Sequence, residues 1–148
     1  MLLQKEIIEK MTGIKNLFTE SYNSEGMLTH RLTGKVKTES DNRRIIFYED
    51  VQWRNESSLL INSKNIYHWT FLTSGNIRLE HLRFGKDKPV FLVEFLFTKE
   101  NAWKSIEPHN CNNDLYSAKL SMNDENILLY WSVKGPTENY SLKNIYSH

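Results

Sequence analysis

A single cysteine, Cys111, stands among the 148 residues. No intrachain disulfide is possible, which suits a reducing compartment. No uninterrupted apolar run is long enough for a signal-peptide core or a membrane span: the opening MLLQKEIIEKM is broken by Lys5, Glu6, Glu9 and Lys10. A cytoplasmic protein is expected. Neither sign of charge dominates, with 19 basic and 18 acidic residues. Basic residues do not cluster with aromatics, so nothing asks for nucleic acid, an anionic membrane or an acidic partner. The chain has no GxGxxG, P-loop, HExxH, GxSxG or CxxC motif, and the common markers of nucleotide, zinc-protease, serine-hydrolase and dithiol chemistry are thereby missing. It also lacks a repeat, a linker and any long helical pattern between its strands, which argues against a parallel βαβ sheet.

What is present fits one domain over residues 1–148 whose core needs no staples. Residues 2–11 carry Leu3, Ile7, Ile8 and Met11 on one face, the spacing of a short amphipathic helix that Gly13 can end. This helix, residues 1–12 at most, is expected to cover an edge or mouth of the domain. From residue 14 the period changes to two. Strands are read at 14–22, 31–38, 44–53, 64–72, 77–84, 90–97, 115–122, 127–133 and 140–146, joined by polar turns such as Ser24-Glu25-Gly26 and Ser74-Gly75-Asn76. Residues 59–61 form a short apolar patch, residues 99–108 read as irregular, and Gly34 inside a strand signals a bulge or a close backbone approach. The fold class is therefore all-β. About nine sequential strands favour an antiparallel up-and-down barrel, closed or nearly closed, because closure removes exposed edges. A two-sheet sandwich is the competing architecture. At this strand number a barrel is either filled by side chains or holds one small ligand.

Rare residue types concentrate in His109-x-Cys111-x-x-Asp114-x-Tyr116. A zinc site would need a second Cys or His pair at a suitable spacing, and none is there. A Cys111–His109 dyad is chemically conceivable, but i, i+2 neighbours rarely reach the required geometry. The remaining readings are a ligand site at a barrel mouth, with Asp114 and Tyr116 pointing the same way, or a structural loop in which Asp114 caps amides and His109 donates to a carbonyl. Tyr67, Trp69 and Phe71 alternate on one face, and Trp131 between Leu129 and Val133 is expected in the core. Glu49 and Glu94 interrupt apolar strands. If inward, each needs a partner or a wet cavity, and Arg78, Arg83, Lys119 and Lys134 are the candidate cations.

The 109–116 motif, followed by Trp131-x-Val133-x-Gly135-Pro136-x-x-x-Tyr140 and Tyr146 and joined by Gly34 and Glu49, resembles the family known as domain of unknown function 6314. The resemblance implies a small lipocalin-like all-β protein and brings no substrate or cofactor. The chain departs from that pattern at Thr137 and Glu138, where basic residues are usual, at Val51 in place of Gly, and at His148 in place of Arg. Any anion bound by those basic groups elsewhere would lose its partners here.

The expectation is a barrel that binds a small, partly apolar molecule through His109, Asp114, Tyr116, Tyr67, Trp69 and Glu49. No metal or cofactor is expected. Partners are limited to that ligand, with neither nucleic acid nor membrane, and a homodimer is left open. An isomerase, cyclase or hydrolase using His109 with Asp114 or a buried glutamate is the alternative. A structural domain with a filled core is the third option.

Overall fold

The computed structural model describes residues 2–54, 57–99, 101–106, 109–111, 113–136 and 138–148, with all their side chains except those of Leu2, Leu3, His109 and Cys111. One helix, α1 (Leu2–Thr12), precedes eleven strands: β1 (Asn16–Asn23), β2 (Leu28–Asp41), β3 (Arg44–Arg54), β4 (Leu60–Phe71), β5 (Ile77–His81), β6 (Val90–Lys99), β7 (Ala102–Ser105), β8 (His109–Cys111), β9 (Asp114–Met122), β10 (Asn126–Lys134) and β11 (Asn139–Ser147). Every pairing is antiparallel between strands that are near neighbours in the chain, except where β11 returns to β1 from Asn16↔Ser147 to Asn23↔Tyr140. That return closes an up-and-down barrel of ten strands, and the short β8 pairs with β9 alongside β7. The two-sheet sandwich is thereby excluded.

Alternation in the sequence becomes alternation across the barrel wall. In β3, Ile45, Phe47, Glu49 and Val51 are buried while Arg44, Asp50 and Gln52 are exposed. The turns between β2 and β3, β4 and β5, and β9 and β10 lie at one end, and α1 plugs it. Gln4 Nε2 donates to Leu72 O at 3.0 Å, Lys10 Nζ to Asp124 O at 2.8 Å, and Thr38 Oγ1 to Thr12 O at 3.0 Å. Ile7 and Met11 are fully buried beneath the helix, and each such side chain contributes roughly 1.5–3 kcal/mol. Around them pack Ile45, Phe71, Ile77, Phe95, Trp103, Leu120 and Ile127. Trp69 lies over Phe95 at 6.1 Å between ring centres and against Phe47 at 5.8 Å, and Phe47 meets Tyr146 at 5.2 Å.

Three local readings change. Residues 102–105 are a strand rather than irregular chain, and residues 109–111, read as the approach to a strand, are a short strand themselves. Both pair with β9, β7 with residues 119–121 and β8 with residues 114–116. Ile106 N donates to Glu94 O at 3.0 Å, and Ala118 N donates to Ser105 Oγ at 3.1 Å. Pieces of four and three residues are too short for a period of two to register. The patch at 59–61 runs into β4. β5 stops at His81: Leu82 N still donates to Ile66 O at 2.9 Å in the same register, and the chain then turns, Gly85 N donating to Leu82 O at 3.0 Å. Gly34 does mark a close approach: a Cβ there would meet Asp50 O at 2.9 Å.

Candidate functional site

At the end away from α1, the strands continue but their inward side chains no longer fill the space. A cavity of about 420 Å³ lies there, lined by Asn65 and Tyr67 of β4, His81 of β5, Arg83 and Phe84 just beyond it, Leu92 of β6 and Tyr116 of β9, with Trp131, Val133, Tyr140 and Leu142 completing the far wall. The register explains the set. Tyr67 pairs with His81, and Val133 pairs with both Tyr116 and Tyr140, so each group sits at one level of the barrel.

The polar groups of this cavity are fixed by neighbours. His81 Nδ1 accepts the Arg83 backbone N–H at 2.9 Å. That contact leaves the ring proton of neutral His81 on Nε2. Burial, and then the Arg83 charge, hold the imidazole below its ordinary pKa. The ring stands edge-on to Tyr67, 5.1 Å between centres. Tyr67 is pushed well above its ordinary value by burial and by the charge of Glu49, with Arg83 opposing. Tyr140 is raised first by burial and then by the nearby Tyr116, Glu138 and Asp114.

Glu49 lies between this cavity and the packed core. It is 4% exposed and pairs across the sheet with Asn65, which lines the cavity. Tyr146 donates its hydroxyl to Glu49 Oε2 at 2.6 Å. Burial pushes the carboxyl up to about 7, with the Tyr146 hydrogen bond partly opposing. None of the cations suggested by the sequence pairs with it. Arg78 instead serves Glu94, its Nη2 lying 3.3 Å from Oε1, and Asn76 Nδ2 donates to Oε2 at 3.0 Å. Glu94 is thus an outer-face ion pair rather than an inward carboxylate.

The 109–116 motif folds as the β8–β9 hairpin, turning at Asn113 with φ of 71°. Asp114 opens β9, and a Cβ on Gly135 would overlap its Oδ1. Glycine at that position is therefore a matter of contact. Asp114 Oδ1 is buried and takes no hydrogen bond among the described residues. The side chains of His109 and Cys111 lie outside the described ones, and the readings that involve them rest on sequence alone.

The Gly135–Asp114 contact, the buried Glu49–Tyr146 pair and the close approach at Gly34 join residues from the two separated motifs of the sequence. The model of the family of unknown function DUF6314 matches residues 8–148, nearly the whole chain. The chain belongs to DUF6314. No curated protein matches it.

Of the six residues expected at the ligand site of this DUF6314 chain, Tyr67 and Tyr116 line the cavity and Glu49 lies behind its wall. Asp114 is placed under Gly135 beside Tyr140. Trp69 does not line the cavity: it is 1% exposed, between Phe47 and Phe95. Trp131, expected in the core, is half-buried and faces the cavity. Asn65, His81, Arg83, Tyr140 and Leu142 are additions from the structure. His81 shares a strand face with Ile77 and Leu79, which is the signal that could have found it. Tyr140 belongs to the family motif and Arg83 was a candidate cation, but Asn65 and Leu142 have no marker in the sequence, because the cavity gathers them from separate strands.

Proposed function

We propose that this DUF6314 chain is a lipocalin-like carrier that holds one small, partly apolar molecule at the open end of its barrel. The observation that carries this reading is the cavity of about 420 Å³ with aromatic and aliphatic walls and few fixed polar groups. That size and mixture are typical of small-molecule sites, where apolar burial supplies affinity and polar groups set orientation. Tyr67, His81, Tyr116 and Tyr140 are the orienting groups in this reading. His81 offers an Nε2–H donor, and Tyr67 and Tyr140, both raised, keep their protons across the neutral range.

Titration with the neutral fluorophore N-phenyl-1-naphthylamine tests the reading. Saturable binding is expected, weakened at least tenfold when Leu92→Trp or Leu142→Trp fills the cavity, with Tm little changed. Absence of saturable binding, or binding indifferent to both variants, overturns it.

A further inference from the structure

Aromatic rings supply much of the cavity wall: Tyr67, His81, Phe84, Tyr116, Trp131 and Tyr140. Their faces are electron-rich, and such a wall attracts a cation held against it. Beside it lies Glu49, a carboxylate only 4% exposed. Its Oε2 accepts from Tyr146, and Oε1 takes no hydrogen bond among the described residues. No cation pairs with it there. An ionised carboxylate at such a depth calls for a positive partner. Asp114, close enough to Tyr140 to influence it, adds a second acidic group near the mouth. The cation in the lining, Arg83, is exposed and lies over Phe84 at 5.9 Å, so water already serves it.

We infer that the cavity selects a small aromatic or alicyclic molecule bearing a protonated amine, its ammonium group turned toward Glu49 behind the Asn65–Tyr67 wall and its ring system against the aromatic side chains. This rests on the carrier reading above and names the chemical class of its ligand. The groups facing Glu49 are the Tyr146 hydroxyl from β11 and Tyr67 from β4, with His81 and Arg83 beyond Tyr67. Both tyrosines are raised and His81 is lowered, while burial brings Glu49 up to about 7. An ammonium group stabilises its ionised form, and binding therefore releases a proton.

The test compares three probes of one shape: 2-(1-naphthyl)ethylamine, 2-(1-naphthyl)ethanol and 1-naphthylacetic acid, titrated calorimetrically at pH 8 into wild type and Glu49→Gln. The amine is expected to bind at least tenfold tighter than the alcohol in wild type and about equally in the variant. A second measurement needs no variant. Near pH 7, in buffers of different ionisation heat, the amine is expected to release roughly half a proton per site and the alcohol none. The inference is overturned if the amine gains nothing over the alcohol, if its advantage survives Glu49→Gln, if no proton is released, or if the acid binds tightest. In any of these cases, retained binding of N-phenyl-1-naphthylamine leaves the carrier reading standing. If neither that fluorophore nor any naphthyl probe binds, both readings fall together.

Discussion

Follow β4 or β11 from the helix end to the mouth and the inward side chains change character. In β4 the order is Phe71, Trp69, Tyr67, Asn65; in β11 it is Tyr146, Asn144, Leu142, Tyr140. The first positions are buried and pack against one another beneath α1, while the later ones border open space. Between the two regions runs a polar layer. Tyr146 donates to Glu49, Thr19 Oγ1 donates to Asn144 Oδ1 at 2.7 Å, and Asn144 Nδ2 donates to Leu129 O at 3.1 Å. The strands are shared, so the backbone ladder cannot distinguish the halves. Side-chain volume and hydrogen bonding do, concentrating stability at one end and leaving the other end room for a ligand.

The largest test of this contrast sets two tryptophans against each other. Trp103 is 2% exposed in the packed half, and Trp103→Ala is expected to cost about 3–5 kcal/mol in denaturant unfolding. Trp131→Ala, at the cavity wall, is expected to cost only about 1–2 kcal/mol, because much of its surface is not buried by folding. Equal losses would erase the distinction between the halves.

The polar layer gives the next effect. Glu49 is raised from an ordinary 4.5 to about 7 in the folded protein. Between those values the native state holds a proton that the unfolded chain has released. Stability from this group is therefore complete below pH 4.5 and is lost as pH rises through 7, by roughly 3 kcal/mol in all. Glu49→Gln should flatten that part of the stability–pH curve. An unchanged slope in the variant would assign the dependence to other groups.

A smaller effect is expected at the mouth. Gly135→Ala places a methyl on the Asp114 carboxylate and should cost roughly 1–3 kcal/mol as the hairpin shifts. Asp114→Ala in the same chain should recover part of that loss. If the double variant is no better than Gly135→Ala alone, the contact is not what requires glycine.

Much of the barrel was legible in the sequence because alternation is local: each run of inward and outward residues declares a strand by itself. β7 and β8 escaped because neither is long enough to show a period. The mouth was legible only in part. Tyr67 and Tyr116 stood on recognisable inward faces, but whether such a face meets packed core or empty space depends on what the opposite wall supplies. Trp69 differs from Tyr67 by two positions and lands among Phe47 and Phe95. The partner of Glu49 was hidden for the same reason. Tyr146 lies 97 residues away, and charge matching pointed to arginines and lysines, whereas the fold delivers a hydroxyl.

The pairing of β1 with β11 has a consequence for how the protein is made. Asn16 pairs with Lys35 of β2 on one side and with Ser147 on the other, so the seam cannot be sewn until synthesis has nearly reached that residue. At roughly 5–20 residues per second a nascent chain spends several seconds with β1 unpaired along one edge. Local hairpins form early, but closure waits for the most distant contact, which places the fold among the slower folders. During that interval Leu17 and the other inward side chains of β1 depend on β2 alone for cover, and that unfinished edge is where self-association would begin.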